Sequence, residues 1–84
     1  MAIADACRLV SDHELRMPGE VEFVVLGTGW AIRAYFDNGS KAYRVSADGA
    51  LEDVTAGFPT WPPSRALLKR GRCSTSAGYR RTSL

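Results

Sequence analysis

Between Glu20 and Val54 the chain carries three glycine-containing turns, Gly27-Thr28-Gly29, Asp37-Asn38-Gly39-Ser40 and Ala47-Asp48-Gly49. Each separates runs in which apolar and polar residues alternate, and this combination marks consecutive β-hairpins. Asn38-Gly39 suits a type I′ turn, which needs positive φ at both central positions. Closing there pairs Phe36 with Lys41, Ala34 with Tyr43 and Ile32 with Val45. Closing the first hairpin at Thr28-Gly29 pairs Val25 with Ile32, Phe23 with Ala34 and Val21 with Phe36. Both registers place Val21, Phe23, Val25, Trp30, Ile32, Ala34, Phe36, Tyr43 and Val45 on one face. A slip of one residue would reverse every side chain, so the agreement of two separate turns on one apolar face specifies the sheet. For the third hairpin, a two-residue Asp48-Gly49 turn would set Glu52 against Val45. A three-residue Ala47-Asp48-Gly49 loop sets Leu51 there instead, and is preferred because an unpaired buried carboxylate costs far more than a buried leucine.

The flanks are unlike the centre. From Ala2 to about Asp12, Ile3, Cys7 and Val10 recur at helical spacing with Ala6 beside them, and Pro18-Gly19 ends any continuation. This apolar stripe is the natural cover for the core face of the sheet. After Val54, Gly57-Phe58-Pro59 and Trp61-Pro62-Pro63 form an extended segment hostile to both helix and ladder. Ser64 is placed to cap a short helix from Arg65 to about Arg70, and disorder is expected from Gly71 onward. The expected fold is therefore α+β: an N-terminal helix on a four-stranded antiparallel meander, then a Pro/aromatic arm and a basic tail. Residues 1–63 form the domain in this reading, with the helix and tail in 64–84.

Eighty-four residues allow one small domain. No run approaches the roughly 18 apolar residues that span a bilayer. Asp5, Arg8, Asp12 and Glu14 interrupt the first 15 residues, unlike the apolar core of a secretory leader. A cytoplasmic protein without membrane contact is expected. On that basis Cys7 and Cys73, the only cysteines, are expected as thiols, Cys7 in the core and Cys73 exposed. The net charge of +2 conceals an asymmetry: residues 1–54 carry −4 and residues 55–84 carry +6. An acidic body with a basic end suits contact with nucleic acid or an acidic partner.

Catalytic candidates are few. His13, the only histidine, falls at the end of the first helix, where it complements the helix dipole. Cys7 and His13 are six residues apart, about 600° around a helix axis, and do not share a face. Two distant cysteines and one histidine offer no zinc-ligand spacing. Gly27-Thr28-Gly29 lacks the Lys-Ser/Thr and helix of a phosphate loop. No enzyme activity, metal or cofactor is expected.

Three surfaces stand out for binding. The outer face of the sheet sets Arg33 against Arg44 beside Tyr35, a patch suited to phosphates or bases unless Glu22 and Glu52 neutralise it. Arg65, Lys69, Arg70 and Arg72 extend that positive charge into the C-terminal flank. Phe58 and Trp61 either close over the sheet or hook a partner, and Val24 and Leu26 belong to an apolar edge strand, Glu20 to Leu26, open to pairing. The Phe36-x-Asn38-Gly39-x-x-x-Tyr43 segment resembles hairpins of many small β-rich domains and implies no function. A non-enzymatic interaction module is expected, a homodimer or a binder of another protein. The alternative is a nucleic-acid-binding protein using Arg33, Tyr35, Arg44 and the basic tail.

Overall fold

The computed structural model describes residues 1–57, 61–62 and 68–73. Helix α1 (Ile3–Glu14) is followed by strands β1 (Glu20–Leu26), β2 (Gly29–Phe36), β3 (Gly39–Ser46) and β4 (Leu51–Asp53). A 3₁₀ turn at Thr55–Gly57 and strand β5 (Lys69–Arg72) complete the described elements. The class is α+β, but the antiparallel sheet has five strands in the order β4-β3-β2-β1-β5. The fifth strand corrects the sequence reading twice. It forms where the end of a short helix and the start of a disordered tail were expected, and it covers the edge of β1 that was expected to be open. Residues 65–67, Phe58 and the stretch 74–84 lie outside the described residues, so the expectations that fall there stay as they were.

The meander is present with a corrected register. Val25 pairs with Trp30 and Phe23 with Ile32; Ile32 pairs with Tyr43 and Ala34 with Lys41. Both hairpins are displaced by two residues from the expected pairing. The reason lies in the glycines. Gly29 and Gly39 do not sit inside their turns but just past them, as the first residues of β2 and β3, with φ of 148° and 139°. The two-residue connections are Gly27-Thr28 and Asp37-Asn38, without positive φ. At Gly29 a Cβ would collide with the Val45 carbonyl of β3, so glycine is also needed for close approach. A shift of two leaves every residue on its expected face. The third hairpin closes as expected, with Val45 opposite Leu51 and Gly49 at φ 94°.

α1 starts with the Asp5 carboxylate accepting a hydrogen bond from the Ala2 N–H at 3.0 Å. It ends at Leu15, whose φ of 62° is left-handed and whose N–H donates to the Ser11 carbonyl at 2.8 Å. Ala6, Cys7 and Val10 are buried against Val21, Phe23, Ile32, Ala34, Tyr43 and Val45. The helix crosses the sheet obliquely, from β5, where Ile3 meets Gly71, to β3, where Glu14 meets Lys41 and Tyr43. Tyr43 is fully buried, and its hydroxyl donates to Glu14 Oε2 at 2.6 Å, so no buried polar atom is stranded there. Burial, first, and the adjacent Glu14 carboxylate push the Tyr43 phenol well above its usual range. The same hydrogen bond, helped by Lys41, holds the Glu14 carboxyl below the usual carboxylate range.

Cys7 and Cys73 are joined in a disulfide across 66 positions of sequence. This corrects the expectation of two thiols. That expectation rested on compartment alone; the packing of β5 beside α1 brings the two Cα atoms to 5.7 Å, within bonding reach.

Candidate functional site

The five-strand register arranges the charged part of the outer face in three rows across the sheet. Arg72, Glu20, Tyr35 and Ser40 make one row; Arg70, Glu22, Arg33 and Ala42 make the next; Val24, Ala31, Arg44 and Glu52 make the third. Cations and carboxylates therefore alternate. Arg33 does not face Arg44, as the expected register had it: it stands between Glu22 and Ala42, while Arg44 stands between Ala31 and Glu52. This alternation removes the like-charge pair that suggested a phosphate-binding patch.

Glu22 is the hub of this face. Only 8% of it is exposed, a depth at which an unpartnered carboxylate would be costly. Tyr35 donates its hydroxyl to Glu22 Oε1 at 2.6 Å and Trp61 donates its indole N–H to the same oxygen at 3.0 Å. The Arg70 guanidinium approaches the second oxygen at 3.7 Å and also pairs with Glu20. Burial, followed by the Glu22 hydrogen bond, raises the Tyr35 phenol; the Arg70 hydrogen bond lowers the Glu20 carboxyl. Arg33 donates to Ser40 Oγ at 2.9 Å and lies 5.9 Å from the centre of the Trp61 ring. Thr55 completes this cover, accepting from the Ala42 N–H at 3.0 Å. Val24, Ala31 and Ala42 are buried on a face that the meander alone would leave wet.

The sequence-derived candidates are thus distributed unevenly. Tyr35, Arg70 and Trp61 converge on Glu22, and Arg33 joins them across the strands. Val24 is fully buried, so it presents no surface to a partner, whereas Leu26 is half-buried. Lys69 and Arg72 are exposed along β5. Arg65 and Phe58 fall outside the described residues. Cys7 is in the disulfide, and His13 stands edge-on to Tyr43 at 5.8 Å between ring centres. Among the described residues no group of three or more His, Cys, Asp or Glu side chains is placed to hold a metal, and no helix is long and apolar enough to cross a membrane.

On the helix side the last row of the sheet is Val25, Trp30, Val45 and Leu51. Val45 is buried, but Val25 is 47% exposed and Trp30 and Leu51 are half-buried. Among the described residues the β5 ladder covers β1 from Glu20 to Phe23, and Val25 and Leu26 lie beyond it. A shallow cleft of about 300 Å³ opens at the other end, lined by Gly19, Glu20, Tyr35, Phe36, Asp37 and Arg72.

Sequence reasoning missed Glu22 as a hub and β5 as a strand. One signal was present: Arg70 and Arg72 alternate around Gly71 with the period of a strand, opposite Glu22 and Glu20. No family model, curated protein or solved structure matches this chain.

Proposed function

We propose that this protein is a small non-enzymatic interaction module that self-associates through the β1–β2 hairpin end of its sheet. The supporting observation is the apolar row Val25, Trp30 and Leu51, incompletely covered on the helix side, next to the part of β1 that runs past β5. Val25 and Leu26, which keep exposed surface, carry no charge, so two copies related by a two-fold axis meet at this end without like-charge contact. Trp61 is committed to Glu22 of its own sheet, which supports the hairpin end over the arm as the contact. The disulfide favours work in an oxidising setting in place of the expected cytoplasm.

Sedimentation equilibrium across a concentration series tests this reading. The native chain shows reversible dimerisation, and Val25→Lys shifts it to monomer with an unchanged circular dichroism spectrum. A monomer at every concentration overturns the proposal.

A second reading, nucleic-acid binding, draws on Lys69 and Arg72 beside the basic C-terminal sequence. Its affinity would be electrostatic and fall steeply with salt. The charge alternation over the sheet argues for an edge contact and against a stacking platform. Absence of binding at low salt would end it.

A further inference from the structure

We infer that the groove between α1 and the β1 edge is a strand-docking site, and that a second copy of this chain fills it with its own β5, exchanging the Cys7–Cys73 disulfide between chains. The groove selects its strand by side-chain chemistry as well as by ladder pairing. Opposite Glu22 and Glu20 it takes Arg70 and Arg72, and Arg70 forms an ion pair with Glu20. Opposite Val21 it takes Gly71, where a Cβ would lie 2.9 Å from Ile3 side-chain carbons of α1. At its end it takes a cysteine, which meets Cys7, while the Cys73 N–H donates to the Gly19 carbonyl at 3.0 Å.

Those requirements also exclude the alternative of β1 pairing with the β1 of another copy along Glu20–Phe23. That arrangement crowds four carboxylates, Glu20 and Glu22 from each chain, on one face. The strand whose residues already match every position is β5, and a second copy supplies an identical one.

β5 is suited to leave and return. It is four residues long, its Lys69, Arg70 and Arg72 side chains are exposed, and Gly71 contributes none. Five residues separate Pro62 from Leu68 in the sequence. Exchange between copies competes with return in the same chain, whose effective concentration for a short tether is on the order of millimolar. A dithiol reductant opens the link by taking up the disulfide's oxidising equivalents and leaving thiols at Cys7 and Cys73. Glutathione disulfide re-forms it: two chains with four thiols consume two molecules of glutathione disulfide, release four of glutathione, and gain two Cys7–Cys73 bonds between chains. The exchange does not use the hairpin end, so Val25→Lys leaves it intact even where it abolishes reversible dimerisation.

The test mixes two full-length variants, Cys7→Ser and Cys73→Ser, in equal amounts in a glutathione redox buffer at about 1 mM chain, near the effective concentration of the tethered strand. Only a cross-chain bond can then restore the native pairing. The expected result is a Cys7–Cys73 heterodimer about tenfold in excess over the Cys7–Cys7 and Cys73–Cys73 homodimers, and Arg70→Glu in the chain that donates β5 lowers that excess. Heterodimer at the statistical share, or only glutathione-capped monomers, overturns the inference. Because each variant lacks the native link, the native chain is also reduced and reoxidised as a mixture of ¹⁴N- and ¹⁵N-labelled material, which keeps the test independent of how the variants fold. Disulfide peptides that join a ¹⁴N Cys7 to a ¹⁵N Cys73 in a covalent dimer confirm exchange; their absence at millimolar chain overturns it.

Discussion

The two edges of the sheet are closed by short strands held in opposite ways. β4 has three residues and returns from β3 through the three-residue Ala47-Asp48-Gly49 loop. Leu51 anchors it against Val45, and the Asp53 carboxylate accepts from the Thr55 hydroxyl at 2.7 Å and from the Thr55 N–H at 3.0 Å. β5 has four residues and, among the described residues, no local partner; its ladder, its ion pairs and the disulfide of the adjoining Cys73 all reach across the chain to β1 and α1. The entropy of closing a loop grows with its length, so a nearby strand needs few contacts where a distant one needs a cross-link. Small domains with limited cores use such staples for the same reason.

The largest test of this contrast is Cys73→Ser. Releasing a loop of 66 residues is expected to cost about 4 kcal/mol in a chain-entropy account. Chemical denaturation measures the loss. Amide exchange locates it: Glu20–Phe23 and β5 lose protection first, while the β3–β4 pairing keeps its own. Equal loss at both edges would show that β4 depends on β5 after all.

Gly71→Val comes next, at about 2 kcal/mol, because the new side chain drives Ile3 out of its place on α1. Adding Ile3→Ala to that chain recovers part of the loss, which separates a steric clash from a change in strand propensity. On the opposite edge, Leu51→Ala removes a half-buried anchor and is expected to cost about 1.5 kcal/mol. Its effect on exchange should stay within β4 and the neighbouring part of β3.

The smallest effects are electrostatic. Glu14, Glu20 and Asp53 have carboxyls held below the ordinary range, chiefly by hydrogen bonds from Tyr43, Arg70 and Thr55 respectively. A lowered folded-state pKa means that the unfolded chain binds protons more readily. The stabilisation is complete above the ordinary carboxylate pKa of about 4 and is lost as pH falls below it toward the folded-state values. Thermal unfolding followed down the acid range should therefore show a falling midpoint. Arg70→Ala removes the part that belongs to the β5 edge and leaves the Glu14 and Asp53 part in place. Salt should mask the first contribution more than that of the less exposed Glu14.

The two edges also separate what could be read early from what could not. β4 and its partner Leu51 follow from one turn and the cost of burying Glu52. β5 could not be reached that way, since Lys69-Arg70-Gly71-Arg72 has neither strand propensity nor an apolar face, and its partner lies some fifty residues away. The candidate interaction surface was legible to a similar degree. Val25 and Trp30 were placed on the apolar face, but how far α1 would cover them depends on the angle at which the helix crosses the sheet. The sequence around Trp61 suits a lid and a hook equally, and only the fold brings its indole N–H to the Glu22 carboxylate.

By itself the sequence determined the three hairpins, the side of the sheet on which each residue stands, and the helix that covers it. These follow from two periodicities and from turn chemistry, which act over a few neighbouring residues. Even the two-residue error in pairing left the faces intact, because side chains alternate with a period of two. Tertiary structure alone decided the fifth strand, the Cys7–Cys73 bond and the alternation of Arg70, Glu22 and Arg33 across the outer face. Each joins residues remote in the chain, and their pairing depends on where packing brings them, which no local pattern records.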